Sequence, residues 1–163
     1  MKFRTGLGQD SHAFESKKGK PCVIGGVTIS DHVGLDADSD GDVIFHAICN
    51  AITSLTGVSI LGEIAPKLCK EQGIKDSKVY LEKALQTLGE EKIHHVALSL
   101  EGKTPRLQKH IPSLCENVSK VLKISPKQVG ITITSGDGLT AFGRGEGLQC
   151  FCIITTFQEK EAE

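Results

Sequence analysis

Tryptophan is absent from the 163 residues, tyrosine occurs once, and aromatic residues make up 4% of the chain. Ring stacking therefore contributes little, and the core must be assembled from Ile, Leu, Val and Ala. Long hydrophobic runs are also missing: no apolar stretch approaches the ~20 residues that span a bilayer, so no membrane partner is expected. The opening MKFRTGLGQD carries no apolar segment of the kind that directs secretion, which leads to the expectation of a cytoplasmic protein. Charge excess is missing too. Nineteen Lys and Arg face twenty Asp and Glu, a net charge of −1, which argues against a basic nucleic-acid surface. No CxxC pair occurs among the cysteines at 22, 49, 69, 115, 150 and 152. They sit mostly inside apolar runs such as PCVIGG and LQCFCIITTF, and read as reduced, small hydrophobes rather than a disulfide framework or a thiolate zinc site.

What is present suits one domain over residues 1–163, with 157–163 as a frayed polar tail. KFRTGLGQ reads as a first strand, and PCVIGGVTI as a hairpin about Gly25-Gly26. Apolar residues at Ile44, Ala47, Ile48, Ala51, Ile52 and Leu55 recur at i, i+3, i+4, predicting a helix over 42–56. Ser39 or Asp40 would cap it and Gly57 would end it. A Gly/Pro-containing stretch follows from 57 to 75. Asp76 or Ser77 then caps a second helix, and a third runs from about Leu107 to Lys123 with Pro112 in its first turns. IHHVALSLE, QVGITIT and LQCFCIITTF complete about six strands. The order gives an α/β (α+β) fold, a mixed sheet with helices packed on one face.

The loop DADSDGD begins like an EF-hand, but the twelfth position from Asp36 is Ala47, which cannot close a calcium shell. GKT at 102–104 lacks the first glycine of a P-loop, and Gly6-Leu7-Gly8 lacks the third glycine of a dinucleotide fingerprint. His94 and His95, adjacent on a strand, are expected to face opposite sides and to be structural. His32 reads as a solvated loop residue. His46 is different. On a helical wheel it points away from the apolar stripe, beside Asp42, Asn50 and Thr53. Asp10 and His12, two apart on a strand, face the same way. Asp10, His12 and His46 would make a three-ligand set with an open fourth position, the pattern of a catalytic zinc site. The residues alone leave a second reading open, in which all three are polar groups facing water. TSGDG at 134–138 has two readings as well. It is either a phosphate and Mg²⁺ loop, in which hydroxyls and bare amides meet oxygens, or an ordinary turn.

Four stretches act together: DSHAF (10–14), SDGDVIFHA (39–47), PRLQKHIP (105–112) and FGRGEG (142–147). In order and spacing they resemble the 2-C-methyl-D-erythritol 2,4-cyclodiphosphate synthase family over essentially the whole chain. The resemblance implies a ferredoxin-like sheet assembled as a homotrimer with active sites between subunits. It implies conversion of 4-diphosphocytidyl-2-C-methyl-D-erythritol 2-phosphate to the 2,4-cyclodiphosphate and CMP, in the non-mevalonate isoprenoid pathway. The alternative is a non-catalytic metal- or cytidine-nucleotide-binding module on the same fold.

The same resemblance implies one Zn²⁺ per subunit on Asp10, His12 and His46, and Mg²⁺ or Mn²⁺ on the substrate diphosphate at Asp137. Asp38 and Ser135 take the catalytic positions. Asp10, Ser11, His12, Asp38 and Ser39 line the substrate site, with Glu63, Ile64 and Ala65 near the erythritol. Gly102, Lys103, Thr104, Pro105, Arg106, Leu107 and Gln108 would hold the cytosine, largely through backbone groups. Thr134, Ser135, Gly136 and Asp137 would hold phosphates, and Arg144 lies with Glu146 near the trimer axis. Three departures stand out. Asp38 replaces a usual His, Asp137 replaces a usual Glu, and the family's aromatic-Pro-Asp loop is replaced by LGEIAPKLCKEQGIKDS.

Overall fold

The computed structural model describes residues 1–159. Six strands are present among them: β1 (Lys2–Ala13), β2 (Pro21–Ile24), β3 (Val27–Val33), β4 (Lys92–Glu101), β5 (Val129–Thr134) and β6 (Gly147–Gln158). Four α-helices accompany them: α1 (Val43–Thr56), α2 (Ala65–Gln72), α3 (Ser77–Gln86) and α4 (Ile111–Leu122). Phe157 and Gln158, expected in a frayed tail, pair with Phe3 and Lys2 at the end of β6; the rest of that tail beyond residue 159 lies outside the described residues.

The main sheet has the order β1-β6-β4-β5, antiparallel except for the β4–β5 pair. α4 makes the crossover between those two parallel strands, as a parallel pair requires. The mixed sheet with helices on one face agrees with the sequence. The main-sheet elements, however, run β-α-β-α-β-β, which differs from the β-α-β-β-α-β order of a ferredoxin-like unit. The reason is that β6 returns between β1 and β4, so the parallel pair sits at the sheet edge rather than its centre.

Strand periodicity sorts the sheet into two faces. On β1, Gly6, Gly8, Asp10 and His12 face the helices and lie opposite Ile154, Cys152, Cys150 and Leu148 of β6. The alternate residues Leu7, Phe151 and Ile153 look outward and remain exposed. Inside, the core is aliphatic as expected, with Cys22, Cys49, Cys150 and Cys152 buried as free thiols and Tyr80 and Phe45 as the few large rings. Burial pushes the Cys22 thiol up to about 11 and those of Cys49 and Cys150 further, which keeps them protonated and inert.

α1 is buried on nearly every side, so its apolar stripe is wider than the spacing of its Ile and Leu residues suggests. Its cap is Asp42, not Ser39 or Asp40: the Asp42 carboxylate accepts from the amides of Ile44 and Phe45, each at 3.1 Å. The same fully buried carboxylate accepts from Gly25 N–H at 2.8 Å and Gly26 N–H at 2.7 Å. Both glycines have positive φ and form the two-residue turn of the β2–β3 hairpin. One carboxylate thereby clips the hairpin to the helix.

The stretch from 57 to 75 is mostly helical. A π-helical turn at Ile60–Ile64 feeds directly into α2, with Pro66 at the junction. Gly57 and Gly73 end the helices α1 and α2, and Ile60, Leu61, Ala65 and Leu68 between them pack onto the core. Two readings of histidines also differ from expectation. A bulge between Ile93 and His95 puts His94 and His95 on the same outer face, where His94 packs edge-on against Phe3 at 5.5 Å. His32 belongs to β3 and lies against Phe14, with ring centroids 4.3 Å apart.

Candidate metal centre

The site begins with two glycines. A Cβ on Gly6 would lie 2.3 Å from the Ala51 carbonyl oxygen, and one on Gly8 would lie 2.1 Å from that of Ala47. α1 therefore rests directly on the backbone of β1, closer than any other residue would permit. Asp10 and His12 continue the same inward row, and His46 projects from α1 onto them.

The three donor atoms converge. His12 Nε2 lies 2.9 Å and His46 Nδ1 3.2 Å from Asp10 Oδ2, and the two ring nitrogens are 3.2 Å apart. Ligands about 2.0–2.1 Å from a tetrahedral Zn²⁺ stand roughly 3.3–3.4 Å from each other, so this triangle is close to the size one ion requires. Two imidazoles and a carboxylate suit zinc or another borderline divalent ion. Among the described residues these three form the one group of His, Cys, Asp and Glu whose ligand atoms all approach within 4.8 Å.

Electrostatics agree. Burial alone would raise the Asp10 carboxyl, but the contacts it makes with the His12 and His46 rings outweigh it and hold the group below its ordinary value. Burial would lower His12, yet its hydrogen bond to Asp10 and the carboxylate charge prevail, so His12 keeps its proton to higher pH than a free imidazole. Such a set binds a proton or a metal, in competition.

A cavity of about 370 Å³ opens over the triad, walled by Ala37, Asp38 and Ser39 on one side and by Ala65, Pro66, Cys69 and Lys70 of α2 on the other. The loop carrying Asp38 is pinned by Lys20, whose Nζ donates to the carbonyls of Ala37 (2.6 Å) and Ser39 (2.7 Å). Of the further residues named from sequence, Ala65 lines this cavity, whereas Glu63 lines a separate shallow depression with Lys67 and Glu71. The π-helical turn aims Glu63 outward, and Ile64 packs on the core. Ser11 lies on the outer face of β1, opposite Gln149, so it does not share the face of Asp10 and His12.

The remaining residues gather at the far side of the same sheet end. Gly102 N–H donates to Thr134 O at 3.0 Å and Lys103 N–H to Phe142 O at 3.0 Å, joining residues 102–108 to the 134–146 loop. Leu107 in that segment is a core residue, 1% exposed. Ser135 Oγ donates to the Asp137 carboxylate at 2.9 Å, and Arg144 pairs with Glu146 at 2.8 Å. Three strand spacings, about 14 Å, separate β1 from β5. Within one chain, Thr134–Asp137 therefore stands apart from the triad. Reading the sequence missed Lys20, Cys69, Lys70, Ser77 and Tyr80 around the triad, because each is distant in sequence and unremarkable in type; the Asp76-Ser77 helix start was the available signal for Ser77.

An aliphatic one-sided mixed sheet with a His2Asp triad in its interior defines an α/β protein whose triad could hold a metal ion beside an open cavity. The YgbB family profile matches residues 3–157. The 2-C-methyl-D-erythritol 2,4-cyclodiphosphate synthase of Chlamydia muridarum is 48% identical over 158 residues, covering 96% of this chain and 89% of the relative; that of Chlamydia abortus is 46% identical, covering 96% and 90%. A solved 2C-methyl-D-erythritol-2,4-cyclodiphosphate synthase in a CDP-bound form superposes with a TM-score of 0.84 at 28% identity, covering 94% of this chain and all of that one. The enzyme of that name from Plasmodium vivax shares the fold, with a TM-score of 0.81 at 23% identity, covering 98% and 100%. The chain belongs to the YgbB family of 2-C-methyl-D-erythritol 2,4-cyclodiphosphate synthases.

Proposed function

We propose that the protein converts 4-diphosphocytidyl-2-C-methyl-D-erythritol 2-phosphate to 2-C-methyl-D-erythritol 2,4-cyclodiphosphate and CMP, a cyclising phosphorus–oxygen lyase reaction of non-mevalonate isoprenoid synthesis. The observation that carries this reading is the Asp10–His12–His46 triad at the base of the cavity, in a chain of this family.

The reaction is an intramolecular phosphoryl transfer, in which the 2-phosphate attacks the β-phosphorus and CMP leaves. It asks little of side-chain nucleophiles and much of alignment and charge neutralisation. Zn²⁺ on Asp10, His12 and His46 would supply Lewis-acid polarisation of the diphosphate. The chain's residues do the positioning. Lys20 holds the 37–39 loop, and with it Asp38 and Ser39, at one wall. α2 presents Lys70 at the other wall, a cation in a cavity that also carries Asp10 and Asp38. Holding attacking and leaving groups in a near-attack geometry is worth roughly 7–11 kcal/mol.

The chain acts as one domain within a cytoplasmic homotrimer. The ~14 Å between β1 and β5 supports a site completed by a neighbouring chain. That neighbour's Ser135 would contact the phosphates, its Asp137 would hold Mg²⁺ or Mn²⁺, and its residues 102–108 would hold the cytosine. The outward residues Leu7, Phe151 and Ile153 are 59%, 44% and 47% exposed and adjoin one another across β1 and β6, an apolar face suited to burial between copies. Six free cysteines, four of them buried, suit a reducing compartment.

Incubating the purified protein with substrate, Zn²⁺ and Mg²⁺ tests the reading. Cyclic diphosphate and CMP in equal amounts support it, with His46→Ala inactive yet folded. Cytidine-nucleotide binding without turnover would instead favour a binding module.

A further inference from the structure

Behind His46, on the side away from Asp10 and His12, lies a second set of polar groups. His46 Nε2 is 2.7 Å from Ser77 Oγ, and Ser77 Oγ donates in turn to the Asp40 carboxylate. Ser77 is fully buried, and His46 is 6% exposed. Asp40 is held from several directions. Its Oδ2 accepts from Ser77 N–H at 3.0 Å, its Oδ1 from Asp42 N–H at 3.1 Å, and its own N–H donates to Lys75 O at 2.9 Å. Ser39 Oγ stands 3.4 Å from the same ring nitrogen and already accepts from Gly41 N–H, so it is the lesser partner.

We propose that Ser77 and Asp40 are positioning residues that set the tautomer of His46, and through it the metal affinity of the site. This rests on the metal-binding reading above. The argument is one of direction. A serine hydroxyl has a single proton. The Asp40 carboxylate can only accept, so it claims that proton and leaves Ser77 Oγ with lone pairs toward His46. Nε2 then carries hydrogen and donates, and Nδ1 is left bare to accept from His12 Nε2, 3.2 Å away, whose shorter contact of 2.9 Å already serves Asp10. If the hydroxyl were free to turn, it would donate to Nε2 and favour the Nδ1–H tautomer, whose proton occupies the position of the metal bond. A ligating imidazole whose other nitrogen is held by a carboxylate is oriented and made more basic. Here a buried hydroxyl is interposed between carboxylate and ring. It also ties the site to the start of α3, which follows the segment that walls the cavity.

The experiment measures zinc affinity by chelator competition, without substrate, for the wild-type protein, Ser77→Ala, Asp40→Asn and Asp76→Asn. Circular dichroism verifies folding, and ¹⁵N chemical shifts report the His46 tautomer in metal-free protein. Ser77→Ala and Asp40→Asn are expected to weaken zinc binding roughly 10–100-fold, the range for outer partners of metal ligands. Wild-type His46 is expected as the Nε2–H form, with both forms present in Asp40→Asn. Asp76→Asn perturbs the α3 cap, where Asp76 accepts from Lys78 N–H, and leaves the relay intact. It should lower thermal stability and keep zinc affinity. Should Ser77→Ala not fold, Asp40→Asn and its tautomer decide the matter. Zinc affinity within twofold of wild type in Asp40→Asn, with an unchanged tautomer, overturns the relay. An equal loss in Asp76→Asn also overturns it, showing the effect to be the helix start alone. A wild-type protein that binds no zinc removes the metal reading itself, a separate failure.

Discussion

The Cβ that Gly8 lacks would lie 2.1 Å from the carbonyl oxygen of Ala47. That single contact brings helix and strand close enough for His46 to meet Asp10 and His12. Gly8→Ala should therefore act at a distance. The obstructing atoms are backbone and cannot rotate aside, so α1 must lift. We expect destabilisation toward the upper end of the ~1–3 kcal/mol typical of overpacking, with loss of bound zinc. Denaturant unfolding and metal analysis check this; a variant with wild-type zinc content would refute the docking argument.

Zinc binding should depend on pH in a defined direction. The proton on His12 is held above the ordinary imidazole value, so metal must displace it to bind. Affinity is expected to fall as pH drops through that raised value. In the metal-free protein the signs are opposite for the two partners. Stability from His12 is lost as pH rises through its raised value, and stability from Asp10 is lost as pH falls through its depressed one. Competition titrations between pH 5.5 and 8 decide it, and a flat profile contradicts the linkage.

Asp42 should be a titrating clip. Its burial, helped by the charge of Asp40, pushes the carboxyl up to about 6 despite the amides of Gly25, Gly26 and Phe45. A raised carboxyl favours the neutral form in the folded state. Its contribution is therefore full below pH ~4 and declines as pH rises to about 6, by an amount on the order of 3 kcal/mol. Compared with Asp42→Asn, which does not titrate, the wild-type advantage should narrow over that window and then level off. Unfolding free energies measured across pH 4–7 test the sign; an advantage that widens with pH is the contrary result.

The outer sheet face should hold the assembly together. Leu7 and Ile153 lie directly opposite one another on β1 and β6 and point away from the core. Lysine at either position leaves the interior untouched and places charge in the proposed interface. Ile153→Lys is expected to convert a trimeric mass into a monomeric one with near-wild-type secondary structure and no cyclase activity. Light scattering distinguishes this from an unchanged oligomer.

Lys20→Met removes two hydrogen bonds from the 37–39 loop while keeping the apolar stem. KM should rise several-fold as that wall loosens, with zinc content unchanged because the triad lies on β1 and α1. Steady-state kinetics with parallel metal analysis separate the two effects.

Sequence alone determined the chemistry of the three candidate ligands and their phase. Asp10 and His12 share a face because a strand repeats every two residues, and His46 falls off the α1 stripe because a helix turns 100° per residue. It also determined the aliphatic core, the hairpin at Gly25-Gly26 and the reduced state of the thiols, all of which follow from residue type and short-range spacing. Tertiary structure decided the rest. The Gly8–Ala47 contact, the Asp42 clip and the Ser77–Asp40 relay join segments roughly 17 to 40 residues apart, and no local pattern encodes which distant amide or ring a carboxylate will meet. The bulge that turns His94 outward and the π-helical turn that carries Glu63 away from the cavity arise from packing demands on a whole element. Local periodicity assigns a direction to each side chain; only the closed core decides what stands in front of it.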